Sequence, residues 1–141
     1  MSSDVRPLVV ATYQLNSQQF NAVVALDGPD RYKHFISRVS DWQHLWGLRD
    51  RDGWVLIADS NGHAAFPVWP HPEYAAACAT DLWAGNSAAP IEVHEFLEKW
   101  VAGLVAEGKN VAVFPTLKMK GVIVSADQLK DDLQHELARI E

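Results

Sequence analysis

Residues 66–74 read Phe-Pro-Val-Trp-Pro-His-Pro-Glu-Tyr, and we refer to this stretch as the corner. Proline fixes φ and has no backbone N–H, so the three prolines of the corner cannot all lie inside a sheet. We predict a strand at or near a sheet edge over Ala64–Val68, followed by a rigid turn over residues 69–71. Pro72 is the predicted first residue of a helix. Glu73 then falls in the first helical turn, where its charge suits the helix dipole.

Two further strands are predicted on the N-terminal side of the corner, over residues 44–48 and 54–58. The Asp-Gly pair at the end of the loop between them is typical of a hairpin. Trp46 and Trp54 would then face each other across the pair of strands. Residues 8–13 are also prone to form a strand, and an arm without regular structure is an equal alternative.

Hydrophobic spacing and capping residues predict five helices, which begin near residues 16, 29, 72, 93 and 125. In the second of these helices, Arg31, Lys33 and Arg38 are expected to face solvent. The helix that begins near residue 93 is the most amphipathic, and its apolar face is expected to be buried.

The helix that begins at Pro72 is expected to extend to about Trp83, with Cys78 and Leu82 on one apolar stripe. A loop over residues 85–90 follows it, because glycine, asparagine and proline are concentrated there.

Two last strands, over residues 110–114 and 122–124, complete the predicted sheet. Short connections force neighbouring strands to be antiparallel. We therefore predict an α+β fold, with a mainly antiparallel sheet of about five strands and helices packed on one face. Residues 16–141 form this single domain, and residues 1–15 are predicted to be a loose N-terminal extension.

The composition excludes several classes of protein. The chain has 141 residues, and its 12 basic residues are scattered among 18 acidic ones, which gives a net charge of −6 and argues against a nucleic-acid surface. No apolar run approaches the roughly 20 residues that a membrane span needs. The single cysteine allows no internal disulfide, so we expect a cytoplasmic protein.

No set of residues matches a known catalytic or metal-binding motif. His71 and Glu73 have the His-x-Glu spacing of zinc deaminases, but Cys78 is the only cysteine and the Pro-Cys-x-x-Cys partner motif is missing. His94-Glu95 lacks the second histidine of the His-Glu-x-x-His zinc motif, and His94 is expected to cap its helix. We therefore expect no catalytic residues, no metal ligands and no cofactor.

Six short motifs occur in a characteristic order along the chain. They are residues 31–32 (Arg-Tyr), 46–48 (Trp-Gly-Leu), 52–54 (Asp-Gly-Trp), 67–75 (Pro-Val-Trp-Pro-His-Pro-Glu-Tyr-Ala), 95–97 (Glu-Phe-Leu) and 113–116 (Val-Phe-Pro-Thr). Over residues 16–141 the chain resembles the bacterial family known as domain of unknown function 2750. The resemblance implies a single small bacterial domain, and it supplies no assigned activity and no catalytic residues.

The corner allows a structural and a functional interpretation. It can be a rigid joint, with Trp69 packed inward and His71 capping the helix. It can also be a binding surface built from Trp69, His71, Glu73, Tyr74 and Trp83. Aromatic side chains give a large contact area for little loss of entropy, so we favour a non-catalytic protein-interaction module that uses this surface. The alternative is a small-molecule binding protein or a minor hydrolase, with His71 as general base and Glu73 orienting it.

Overall fold

The computed structural model describes residues 10–140, in which helices and strands are interspersed along the chain. The α-helices are α1 (Ser17–Val24), α2 (Gly28–Trp42), α3 (Pro72–Ala77), α4 (Val93–Glu95), α5 (Val101–Ala106) and α6 (Ala126–Ile140). The strands are β1 (His44–Asp50), β2 (Gly53–Trp54), β3 (Ile57–Ala58), β4 (Ala64–Val68), β5 (Ser87–Glu92), β6 (Asn110–Val113) and β7 (Val122–Ser125). A π-helical segment, Phe96–Trp100, joins α4 to α5, and a 3-10 helix spans Asp81–Trp83. The predicted α+β class is confirmed.

The strands form two sheets that meet at one point. The first sheet has the antiparallel order β2-β1-β5, and the second has the order β3-β4-β6-β7, in which only β4 and β6 are parallel. Trp46 of β1 and Trp69, the residue after β4, exchange two backbone hydrogen bonds of 2.8 Å and so link the sheets. The prediction of about five strands in one sheet therefore missed two strands and the division into two sheets.

The predicted strand over residues 54–58 is in fact two strands that belong to different sheets. β2 pairs with β1, whereas β3 pairs with β4. Trp54 lies opposite Arg49, whose guanidinium carbon is 4.9 Å from the centre of a Trp54 ring. The predicted pairing of Trp46 with Trp54 is wrong, because β1 continues beyond its predicted end to Asp50 and so shifts the register.

Close packing of the Trp54 ring over β1 gives a first testable prediction. We expect Gly47→Ala to lower the free energy of unfolding by about 1–3 kcal/mol. The added Cβ would lie 2.9 Å from the Trp54 ring and 3.2 Å from the Phe66 ring. Gly103→Ala is the matched control, because a Cβ there meets nothing within 4 Å and alanine favours a helix by about 1 kcal/mol. Urea denaturation measures both variants, and a Gly47→Ala protein as stable as the parent would contradict the expectation.

β4 has a neighbour on each side and lies next to the edge strand β3, which agrees with the predicted position at or near a sheet edge. The Val68 carbonyl accepts from the Phe114 N–H on the β6 side, whereas Trp69 bonds to Trp46 on the opposite side. Because successive residues of a strand direct their backbone groups to alternate sides, Pro67 faces the same side as Trp69. The position of its missing N–H lies between the beginning of β3 and Trp46, where no backbone group requires a hydrogen bond from it.

β5 occupies a stretch that was predicted to be a loop. It pairs only with β1, and Pro90 lies opposite Trp46. The backbone N–H and carbonyl of Trp46 are directed towards Trp69, so Trp46 and Pro90 form a pair without hydrogen bonds between them. The nitrogen of Pro90 therefore faces the free edge of the sheet, which is where a proline is tolerated.

The apolar face predicted for the helix that begins near residue 93 is confirmed as buried, and α2 and α6 also bury apolar side chains. Buried side chains from α2, the π-helical segment and α6 belong to one hydrophobic core, among them Phe35, Val39, Phe96, Leu129 and Leu133. One prediction for α2 is wrong, because Arg31 is only 1% exposed instead of facing solvent.

Part of the predicted N-terminal extension packs against the domain. Residues 1–9 lie outside the described residues, and so does the first part of the predicted strand over residues 8–13. Residues 10–15 have no regular structure, but the Tyr13 ring lies 4.7 Å from the His71 ring. Within residues 10–140, no helix has the length and apolar character needed to cross a membrane.

Candidate functional site

The corner is built as a structural joint. Trp69 is fully buried, and its Nε1 donates to the Pro115 carbonyl at 2.8 Å. Pro72 begins α3, as predicted. His71 caps this helix, since its Nδ1 accepts from the backbone N–H of Glu73 at 3.1 Å. This burial and these hydrogen bonds agree with the structural interpretation of Trp69 and His71.

His71 has no nitrogen left for chemistry. Its Nε2 lies 2.8 Å from the Tyr13 carbonyl, to which it donates when Nδ1 accepts from Glu73. The ring is only 4% exposed. The Glu73 carboxylate is not hydrogen-bonded to this ring, and Glu73 lines a shallow surface cleft beside α1. The geometry thus provides no free base at His71.

The remaining predicted residues are divided between the core and the surface. Tyr74 is buried between Phe20 and Phe114, with ring centres 5.0 and 4.7 Å away, and burial raises its pKa to about 12. Trp83 is half-buried and meets the Trp69 ring edge-on at 6.3 Å. Trp69 therefore contacts Trp83, and His71 contacts Tyr74. The five residues of the predicted binding surface do not lie together on one surface.

A buried arginine holds the segment that connects β6 to β7, residues 114–121, which we call the 114–121 loop. The Arg31 guanidinium donates to the carbonyls of Phe114 at 3.0 Å, Leu26 at 2.8 Å and Lys120 at 3.1 Å. Burial lowers the pKa of Arg31, while the nearby Asp27 charge opposes this effect. The guanidinium remains charged and acts as a clamp on both ends of the loop.

The start of the 114–121 loop is fixed by further buried groups. Phe114 has a left-handed backbone with φ of +58°, which costs about 1–3 kcal/mol for a bulky residue and persists only where the surroundings impose it. The Pro115 carbonyl accepts from Trp69 Nε1 and from the Cys78 thiol, whose sulfur lies 3.5 Å away. Burial raises the pKa of Cys78 to about 11, so the thiol keeps its proton at neutral pH.

An open groove of about 690 Å³ lies on the outer side of the 114–121 loop. Its other walls are β3 and the 3-10 helix Asp81–Trp83. Four exposed apolar side chains line it, namely Leu56, Leu82, Leu117 and Ile123. Seven large apolar side chains are exposed in the described part of the chain, so more than half of them belong to this one groove. Its polar rim includes Asp59, Asp81, Lys118 and Lys120.

Trp83 is the one predicted binding residue that lines this groove, and the exposed apolar side chains of the groove were not predicted. Sequence reasoning places Leu82 on a buried stripe, which is wrong because α3 ends at Ala77 and Leu82 is 97% exposed. Leu117 has a recognisable signal, since it is an apolar residue between the polar Thr116 and Lys118, and it is 70% exposed.

A second, smaller cavity lies on the inner side of the same loop. It has a volume of about 390 Å³ and lies between α1, α3 and the 114–121 loop. Cys78 and residues 115–119 border both the groove and this cavity. The loop therefore acts as a common wall between two concave surfaces.

Within residues 10–140, no group of three His, Cys, Asp or Glu side chains lies close enough together to hold a metal ion. His94 is exposed, and its Nδ1 lies 2.8 Å from a carboxylate oxygen of Glu92. The prediction that His94 caps its helix is wrong, because the Glu92 carboxylate accepts from the N–H groups of His94 and Glu95.

Comparison with known proteins identifies a family. A family model described as "Protein of unknown function (DUF2750)" matches residues 32–133. No curated protein and no solved structure matches the chain. The matched range contains the corner and every residue that lines the groove, whereas α1 precedes it.

Proposed function

Because the chain belongs to the DUF2750 family, whose description assigns no function, we propose a function from the structure itself. The chain is a non-catalytic protein-interaction module that binds a partner polypeptide in the groove beside the 114–121 loop. The corner supports this groove from within, since Trp69 holds the Pro115 carbonyl and packs against Trp83.

The observation that carries the proposal is the concentration of exposed apolar side chains in the groove. Soluble monomers rarely expose contiguous apolar patches larger than a few hundred Å², and a larger patch with a polar rim marks a binding surface. Leu82 of the 3-10 helix and Leu117 of the 114–121 loop line the groove and are the two most exposed large apolar residues of the described chain. Covering them would remove apolar area from water and so favour binding.

The edge strand β3 offers a partner hydrogen bonds as well as apolar contact. Its one neighbour in the sheet is β4. The Asp59 N–H donates to the His63 carbonyl and so faces β4. Because the direction of backbone groups alternates along a strand, those of Leu56 and Ala58 face away from β4. An extended segment of a partner can pair with this edge while its side chains enter the groove, which is the mode of binding known as strand addition.

The hydrolase alternative gains no support from the geometry. Both His71 nitrogens are hydrogen-bonded to backbone groups, and Cys78 is a buried thiol with a raised pKa. A nucleophile or base needs a free, accessible atom near a bound substrate. Neither side chain provides such an atom.

We also propose that this module acts in the cytoplasm of a bacterium. The resemblance described above implies a bacterial source. A free cysteine such as Cys78 is compatible with a reducing compartment.

A pair of double variants tests the proposed function. Leu82→Asp with Leu117→Asp is expected to reduce recovery of the partner from a lysate of the source organism at least tenfold, because charges replace the apolar contacts. Val105→Asp with Ile140→Asp is the matched control, since both residues are exposed and lie outside the groove. It is expected to recover the partner as the parent does.

Circular dichroism and sedimentation establish that both double variants are folded, and they also measure self-association. Equal recovery of the partner by the groove variant and the parent would contradict the proposal. A dimer of the parent that only the groove variant dissolves would instead identify the partner as a second copy of this chain.

A further inference from the structure

We propose that the cavity on the inner side of the 114–121 loop is a binding site for a small carboxylate with an aromatic or similarly sized apolar body. This site is separate from the groove, and the inference does not rest on the proposed partner. It rests on the size of the cavity, its lining and the absence of acidic groups from that lining.

The volume of the cavity suits one small molecule. Its volume is about 390 Å³, which is within the range of about 300–1,000 Å³ found for ligand pockets. An apolar cavity of about 150 Å³ is sufficient to hold a benzene molecule. The cavity therefore has room for a one- or two-ring body with a short polar side chain.

The interior of the cavity is apolar and partly aromatic. Three rings line it, from Phe20 of α1, Tyr74 of α3 and Phe114 of the loop, and the sulfur-containing side chains are Cys78 and Met119. Flat rings and polarizable sulfur atoms favour contact with an aromatic body. The rings are held in place, because Tyr74 packs between Phe20 and Phe114.

The charge of the lining favours an anion. No Asp, Glu or His lines the cavity, although the whole chain has a net charge of −6. Lys118 lines it and forms no salt bridge with any described residue. Thr116 accepts from two backbone N–H groups, which leaves its hydroxyl proton free to donate. The Asn21 amide is a further donor in the lining.

Helix α1 forms the outer wall of the cavity and can admit a ligand. None of its residues is fully buried, although its start is fixed by a capping box between Asn16 and Gln19. Few buried contacts and an exposed backbone are typical of elements that open at low cost. Phe20 and Val24 line the cavity, and they belong to a helix whose contacts with the core are made by partly buried apolar side chains.

The experiment measures binding to the full chain by isothermal titration and by chemical-shift mapping. The probes are phenylacetate, 3-phenylpropanoate and indole-3-acetate, each beside its uncharged amide. We expect at least one carboxylate to bind with a Kd below about 1 mM, to bind more tightly than its amide, and to shift the signals of α1 and residues 114–119. No saturable binding by any probe would overturn the proposal.

Matched variants locate the site. Ala77→Phe fills the cavity from α3 and is expected to abolish binding, whereas Ala76→Phe, on the exposed side of the same helix, is expected to preserve it.

A second pair of variants tests the ligand class. Lys118→Gln is expected to weaken binding of the carboxylate about three- to fivefold, the size of an exposed ion pair, and to leave binding of the amide unchanged. Lys120→Gln is its control, because Lys120 lines only the groove. Binding that survives Ala77→Phe would overturn the assignment of the site, and amides that bind as tightly as carboxylates would overturn the assignment of the ligand class.

Discussion

Arg31→Met is expected to lower the free energy of unfolding by about 3–5 kcal/mol. Methionine fills a similar volume but donates no hydrogen bonds. The carbonyls of Phe114, Leu26 and Lys120 would then lose the donor that now binds all three. An unsatisfied buried acceptor costs about 1–3 kcal/mol. The expected loss is smaller than three times this cost, because water can reach part of the vacated site.

The same substitution is expected to loosen the 114–121 loop. Hydrogen exchange of the loop amides should accelerate more than exchange in α6, because the clamp acts on the loop directly. Lys33→Met is the matched control, since Lys33 is an exposed residue of the same helix, and its expected effect is within about 0.5 kcal/mol. An Arg31→Met protein as stable as the control would contradict the role assigned to Arg31.

Trp69→Ala is expected to lower the free energy of unfolding by about 3–5 kcal/mol. The side chain is fully buried, so its removal leaves a large cavity and also removes the donor to the Pro115 carbonyl. A Trp69 side chain exposed on a binding surface could be removed with the fold intact, whereas the observed burial makes a loss of stability the expected result.

Two comparisons separate the contributions to this loss. Trp69→Phe keeps much of the apolar volume and removes the N–H, so an intermediate loss of about 1–3 kcal/mol is expected. Trp42→Ala is the control at a partly exposed tryptophan and is expected to cost less than either change at Trp69. Thermal and urea denaturation measure all three variants, and a Trp69→Ala protein with the stability of Trp42→Ala would contradict the structural role of Trp69.

Local rules allowed much of the fold to be predicted. The strand Ala64–Val68 and the helix start at Pro72 follow from side-chain pattern and proline geometry, both of which act within a few residues. The start of α1 near residue 16 follows from capping residues in the same way, and the structure shows Asn16 as the cap. These features need no knowledge of distant parts of the chain.

Long-range pairing could not be predicted from the same rules. Whether residues 54–58 form one strand or two depends on β4, which lies next to β3 only in the folded chain. Arg31 has the helical position of a solvent-facing residue, and only the arrival of the 114–121 loop explains its burial. Pro90 is compatible with β5 because its nitrogen faces a free edge, and a sequence pattern cannot show this.

The candidate site was predicted only in part, and the reason is burial. Aromatic side chains in the corner are compatible with either a core or a binding surface. In the folded chain, Trp69 and Tyr74 are buried in the core. Leu82 was misplaced because the helical pattern was extended beyond Ala77. Thr80 is typical of a residue that precedes a new helix, and it is a signal that could have separated Leu82 from α3.

The central claim is that the groove beside the 114–121 loop binds a partner polypeptide. Photo-crosslinking tests it most directly, with a photoreactive phenylalanine analogue placed singly at Leu82, Leu117, Val105 or Ile140 in the source organism. We expect a discrete adduct from the first two positions, joined to an extended segment of one protein, and none from the last two. Adducts of equal yield from Val105 and Ile140, or none from Leu82 and Leu117, would contradict the claim.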